Sequence, residues 1–153
     1  MNADVLSESK RTLFADPKIV IAGMSRRLEA AFDAGGLALG VQVYAVANFQ
    51  DEARFLLGVL NSKLMSFLLR TRFQAKRLAG GYLAINKSQL AKLPIRFVDE
   101  ADRRAVSLRD SIIDIVDGLE RPNAESEDEI DRLVYQLYGL TDAEIETVER
   151  NPL

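Results

Sequence analysis

The 153-residue chain contains no histidine, no cysteine and no tryptophan. Without histidine it lacks the commonest general base, the ordinary catalytic triads and most transition-metal sites. Without cysteine it forms neither disulfides nor thiolate metal sites, which suits a reducing cytoplasm. An enzyme built from this chain would depend on carboxylates, Lys, Tyr or Ser alone, so no catalytic residue is assigned. Long apolar runs are also missing. None approaches the ~20 residues that span a bilayer, and the opening MNADVLSESKRTLF is not expected to act as a secretion signal.

What is present describes a globular chain, 48% hydrophobic and 28% charged, long enough to bury a core without covalent staples. Its net charge of −3 hides a strong segregation. Residues 1–52 carry five Lys/Arg and seven Asp/Glu, whereas residues 53–98 carry nine cations and no acid. Residues 99–153 carry six cations against sixteen acids. The densest stretch, RTRFQAKRLAGGYLAINKSQLAKLPI (Arg70–Ile95), holds six cations. Such asymmetry points to an anionic partner for the middle third. The competing reading is that the basic and acidic segments neutralise each other within the fold.

The first third reads as β-structure. KIVIAGM (Lys18–Met24) is short, apolar and rich in β-branched residues, and RRLEAAFD leads to a turn at Ala34-Gly35-Gly36. LALGVQVYAVANF (Leu37–Phe49) alternates, with Val41, Val43, Ala45, Ala47 and Phe49 on one side. From Asp51 the period becomes helical. Asp51 is a candidate cap for a helix reaching about Phe73, striped by Leu56, Leu57, Leu60, Leu64 and Leu68. Gly58 and Asn61 interrupt this stripe, and a small residue there permits close approach of another backbone. A basic Gly-Gly link, a brief strand YLAI and a single helical turn capped by Asn86 or Ser88 follow, ended by Leu93-Pro94-Ile95.

The remainder reads as helices. Asp99 is a candidate cap for a helix striped by Val106, Ile112, Ile113, Val116 and Leu119. Ser126-x-x-Glu129 and Thr141-x-x-Glu144 fit capping boxes, and Gly139 fits a helix C-terminus. The expected fold is therefore α/β in the α+β sense. A small, mostly antiparallel sheet in the N-terminal half packs with helices, and a helical C-terminal segment follows. Residues 1–98 form the mixed core; residues 99–153 pack on it or on a partner domain.

Asp110, Asp114 and Asp117 fall on the polar side of an amphipathic helix. Glu127, Asp128, Glu129 and Asp131 lack the glycine and spacing of a calcium loop, so no metal site is assigned. The basic segment carries more chemistry. Arg70, Arg72, Lys76, Arg77 and Lys87 are candidate phosphate anchors, and Gly80 and Gly81 allow close backbone approach. Phe73 and Tyr82 interleave aromatic surface, while Gln74, Asn86, Ser88 and Gln89 supply groups able to read base edges.

Three segments together carry a family likeness: LLGVLNSKLMSFLLR, LAGGYLAINKSQLAKLPI and EIDRLVYQLYGLTDAEIETVE. With the opening KIVIAGMSRRLEAAFD and GVQVYAV, they resemble the TaqI-like C-terminal specificity domain over about residues 14–150. This is the target recognition domain of bacterial restriction–modification adenine methyltransferases and fused restriction enzymes. The resemblance implies sequence-specific recognition of double-stranded DNA beside a methyltransferase domain or subunit, in the bacterial cytoplasm at the nucleoid. It also implies that S-adenosylmethionine belongs to that companion, with no cofactor in this chain. The companion's Asn/Asp-Pro-Pro-Tyr/Phe motif is absent, since Pro17, Pro94, Pro122 and Pro152 are never adjacent. Under the resemblance, shared motifs build scaffold and backbone contacts, and base readers lie elsewhere, at Arg26, Arg27, Gln42 or Gln74. The alternative is a protein-interaction module without nucleic-acid contact; a carboxylate-based hydrolase is a third class, and would lose turnover on Asp or Glu substitution.

Overall fold

The computed structural model describes residues 8–47, 49, 53–73, 75–118 and 123–151. After a helix not anticipated from sequence, α1 (Glu8–Ala15), the chain enters β1 (Lys18–Ala22). Then come β2 (Met24–Ser25), β3 (Ala30–Asp33) and β4 (Val43–Val46). Helices α2 (Ala53–Leu60) and α3 (Lys63–Thr71) precede β5 (Lys76–Arg77), β6 (Leu83–Ala84) and α4 (Lys87–Leu90). Three helices complete the described chain: α5 (Arg103–Gly118), α6 (Ala124–Tyr138) and α7 (Asp142–Glu149).

The expected α+β architecture is present as two three-stranded antiparallel sheets rather than one, ordered β3-β1-β4 and β2-β6-β5. Gly23 joins them. Its N–H donates to Gln42 O at 2.8 Å beside the first sheet, and its carbonyl accepts from Ile85 N at 2.9 Å beside the second. A Cβ here would lie 2.6 Å from Gln42 O, so only glycine permits this approach. β4 is shorter than the alternating run from Leu37 to Phe49. Gln42 adopts φ 60°, turning the chain immediately before Val43, and Val41 is 94% exposed.

Ile19 and Ile21 of central β1 are buried, on the period-2 face that meets the core with Phe55, Val59, Leu60 and Met65. Lys18 is fully buried, opposite Asp33 in the β1–β3 register, and its Nζ bonds to Asp33 Oδ2 and to Phe14 O at 3.0 Å. This ties the end of α1 to the sheet edge with the buried charge paired.

The single helix expected from Asp51 to Phe73 is two helices, and Asp51 itself lies outside the described residues. The break is at Asn61-Ser62. Ser62 Oγ accepts from Met65 N, capping α3, and donates to Val59 O at 2.7 Å. Asn61 turns its carboxamide to β3: Oδ1 accepts from Ala30 N at 2.8 Å, and Nδ2 donates to Ala30 O at 2.9 Å. The amide thus acts as one residue of an adjoining strand. Gly58 does not interrupt α2. It lies under α5, where an added Cβ would be 2.4 Å from Ile112 Cγ2, so a side chain rather than a backbone exploits its smallness.

The C-terminal caps differ from expectation at two helices. Asp102, not Asp99, accepts from Arg104 N and Ala105 N at the start of α5; Asp99 instead bonds to Ala101 N, one turn earlier. Helix α6 is capped three residues before Ser126, by Asn123, which is extended and whose Oδ1 accepts from Ser126 N. Leu119 lies outside the described residues. Gly139 ends α6 in the left-handed region, and Thr141 with Glu144 forms the expected box on α7. Helix α5 packs on α2, α6 on α5 and α3, and α7 on α3.

Candidate nucleic-acid interface

Apart from Arg96, whose guanidinium donates to Leu137 O of α6, the structure divides the cations of residues 53–98 into two populations. The first is neutralised by the acidic helices. Arg54 Nε meets Asp117 Oδ1 at 2.5 Å. Lys63 Nζ reaches Asp128 at 3.0 Å, Glu149 at 3.3 Å and Asp131 at 3.4 Å. Burial alone would lower the Lys63 pKa, but these three carboxylates outweigh it and hold the ammonium well above its usual value. Asp131, itself buried, is pushed up by desolvation against the pull of Lys63. Arg27 belongs to this group too, through a two-pronged pair with Glu127, both bonds at 2.9 Å. The charge compensation considered from composition is therefore real, but local.

The second population lies on the β2-β6-β5 sheet and on the segments next to it in the chain. Lys76 and Arg77 form β5, Arg72 caps the end of α3, Lys87 opens α4 and Lys92 follows it; all five are exposed. Arg26, just past β2, is exposed too, and its guanidinium lies 5.6 Å from the Tyr82 ring centroid. Among the described residues none of these six has a carboxylate partner within ion-pair distance. Arg70 stands between the groups. Its Nη2 donates to Asn151 O at 2.7 Å, and burial together with the Arg77 charge lowers its pKa, though guanidinium stays protonated throughout the usual pH range.

Local sequence explains how these cations come together. The register pairs Lys76 with Ala84 and Arg77 with Leu83, while Leu83 also faces Ser25. The link between β5 and β6 closes through Leu78 N to Tyr82 O at 2.7 Å. Gly80 and Gly81 both have positive φ, 76° and 81°, a turn few other residues enter without strain. A Cβ on Gly81 would meet nothing within 4 Å. These glycines therefore serve backbone shape rather than internal packing. On the other side, Gln89 Nε2 donates to Phe73 O at 3.1 Å, holding α4 against the end of α3.

Other candidate readers have different placements. Asn86 Oδ1 accepts from Gln89 N at 2.9 Å and Gln89 Oε1 from Asn86 N at 3.0 Å, a reciprocal capping box. Gln42 is exposed in the turn before β4, and its carbonyl is used by Gly23. Gln74 lies outside the described residues. Met24 and Lys92 were not singled out by sequence. Lys92 was visible in the charge count, whereas Met24 reaches the second sheet only because Gly23 redirects the chain there.

The LNSKL motif is structural at every position. Leu60 and Leu64 are buried, Asn61 bonds β3, Ser62 caps α3, and Lys63 N–H donates to Asp131 Oδ1 at 2.7 Å. Ser66, one turn on, accepts from Leu28 N at 3.0 Å. No helix among the described residues is long and apolar enough to cross a membrane, and no group of three or more His, Cys, Asp or Glu there is arranged to hold a metal ion.

The family model of the TaqI-like C-terminal specificity domain matches residues 2–95, well over half of the chain. The matched region takes in both sheets and α1–α4 and stops before α5. A comparison with curated proteins finds no match.

Proposed function

The chain belongs to the TaqI-like C-terminal specificity domain family, the recognition part of methyltransferase-type systems, and from that premise we propose that it binds double-stranded DNA as a target recognition domain and is non-catalytic by itself. The observation that supports this most is the cluster of exposed cations on and next to the β2-β6-β5 sheet that have no carboxylate partner among the described residues, whereas Arg27, Arg54 and Lys63 are paired with acids of the C-terminal helices. Arg72, Lys76, Arg77, Lys87 and Lys92 anchor phosphates; Arg70, tied to Asn151, adds charge from behind. Gly80 and Gly81 keep the hairpin thin enough to approach the backbone. S-adenosylmethionine and the methyl transfer belong to a companion methyltransferase domain or subunit of the restriction–modification system.

If the five anchors meet phosphates, the log–log salt slope of duplex binding is about −4.5. Fluorescence anisotropy of a labelled random duplex across a salt series tests this. Replacing Arg72, Lys76, Arg77 and Lys87 by Ala should flatten the slope by roughly 3 to 4 units. Binding that is absent at low salt, or a slope unchanged in the variant, would sink the proposal.

One observation favours a second reading, a protein-interaction module. An apolar cleft of about 440 Å³, lined by Val43, Tyr44, Leu56, Leu90 and Leu93 among others, opens beside β4 and α4. Under that reading a variant with Arg72, Lys76 and Arg77 replaced by Ala, none of which lines the cleft, keeps its binding partners.

A further inference from the structure

The second sheet has a face whose composition differs from that of a protein core. Directly opposed residues of antiparallel strands share a face, and faces alternate along each strand. Ser25, Leu83 and Arg77 form one row, in which Ser25 and Leu83 are buried and Arg77, on the edge strand, is exposed. The next row, Met24, Ala84 and Lys76, is turned outward, with Met24 45% exposed. Continuing the register by two residues places Arg26, Tyr82 and Leu78 on this same outward face. Two contacts agree: the Arg26 guanidinium over the Tyr82 ring, and Leu78 N–H to Tyr82 O. Tyr82 is 41% exposed at the base of the Gly80–Gly81 turn.

We propose that this outward face is the base-reading element of the domain, with Arg26 and Tyr82 as its specificity-determining pair and Met24 as an apolar contact beside them. The proposal rests on the DNA-binding reading above and assigns which surface enters the duplex. Three physical features carry it. Lys76 lies on this face, and Arg77 is exposed next to it on the edge strand β5, so cations meet the phosphates that border a groove. The β5–β6 pair is a two-stranded ribbon, an element that a major groove about 12 Å wide admits. Arg26 carries the fork of donors that fits guanine O6 and N7, and stacking on Tyr82 limits the conformations it must lose on binding. Its neighbour Arg27 is tied to Glu127 and is not part of this face.

The absence of tryptophan makes the test direct. In Tyr82→Trp the new indole is the only one in the chain, and its emission reports on its surroundings. With random-sequence duplex followed in parallel by anisotropy, the emission is expected to shift or quench on binding and to become protected from acrylamide. A Phe97→Trp variant, at a side chain 88% exposed next to Arg96, whose N–H donates to Tyr138 Oη of α6, should show neither. Full binding by anisotropy with unchanged Tyr82→Trp emission would overturn the assignment while leaving DNA binding intact; no binding by anisotropy would overturn both. A second variant does not depend on the indole. Arg26→Gln, at an exposed position, should keep its melting temperature and lose only about one unit of salt slope or less. In selection from randomised duplexes it should lose roughly tenfold discrimination or more at one base pair. Selection identical to the parent would remove Arg26 from the reading element.

Discussion

Arg26 and Arg27 are consecutive, yet their guanidinium groups end on different parts of the molecule. Arg26 lies over the Tyr82 ring, while Arg27 closes a two-pronged ion pair with Glu127 of α6, a hundred residues away in sequence. Ser25 produces the divergence: its Oγ accepts from Arg27 N at 3.2 Å and donates to Arg27 O, bending the chain as β2 ends. One arginine is thereby presented outward and the other ties the C-terminal helices to the matched core.

The Arg27–Glu127 pair should behave as scaffold. Both side chains are about one third exposed, 35% and 36%, so solvent weakens the attraction. A double-mutant cycle with Arg27→Ala and Glu127→Ala is expected to give a coupling of about 1 kcal/mol in urea unfolding. DNA affinity of Arg27→Ala should stay near that of the parent. A stable Arg27→Ala protein with altered base preference would return Arg27 to the readers.

Acid should destabilise the fold in a manner assignable to individual carboxylates. The Lys18 ammonium, followed by backbone N–H groups of Gly35 and Leu37, holds Asp33 below its ordinary pKa of 3.8; Arg27 does the same for Glu127, below 4.5. Stability from such groups is complete above the ordinary pKa and is lost as pH falls through the depressed native value. Asp131 has the opposite sign. Burial raises its pKa above 3.8, so folding disfavours its ionised form, and acid relieves that penalty. Urea midpoints should therefore decline below about pH 4.5. Asp33→Asn should flatten the decline and Asp131→Asn should steepen it. An unchanged acid limb in both variants would contradict these assignments.

Gly58 brings α2 and α5 close together. Gly58→Ala places a methyl where Ile112 Cγ2 already sits, and a branch on Cβ cannot swing away without moving the helix. Overpacking of about 1–3 kcal/mol should exceed the ~1 kcal/mol that alanine gains in helix propensity. Ile112→Leu removes that branch, so the double variant should lose less stability than the sum of the singles. Strict additivity in thermal unfolding would argue against contact between the two positions.

Asn86 has a structural duty that is separable from any contact with DNA. Asn86→Ala should cost about 1 kcal/mol, and Asn86→Ser, which keeps a capping acceptor, should restore most of it. Duplex affinity of Asn86→Ser is expected to match the parent. A stable Asn86→Ser protein with weakened binding would instead give the carboxamide nitrogen a place at the interface.

The candidate site was legible in the sequence as a bias in charge, not as a surface. Arg72, Lys76, Arg77 and Lys87 were named from composition and stand exposed on the second sheet or next to it in the chain. Arg54 and Lys63 carry the same charge in the same segment but are paired with acids of α5, α6 and α7. Nothing local distinguishes the two groups, because ion pairing depends on which helix face a distant carboxylate occupies.

By itself the sequence determined what short-range physics can specify. The period-2 and helical hydrophobic patterns, the Thr141–Glu144 box, the Gly139 terminus and the Gly80-Gly81 turn all act over a few residues, within reach of hydrogen bonds along one stretch of chain. The likeness of its motifs to a family was readable for the same reason, since motifs are local strings. Tertiary structure decided what depends on contacts across the chain. Asn61 could break the long helix only with Ala30 of β3 beside it, and Gly58 acquired its role only under Ile112. Gly23 divided one expected sheet into two because Gln42 and Ile85 approach it from opposite sides. Arg54 and Lys63 lost their free charge only because α5, α6 and α7 fold against α2 and α3 and bring Asp117, Asp128, Asp131 and Glu149 to them.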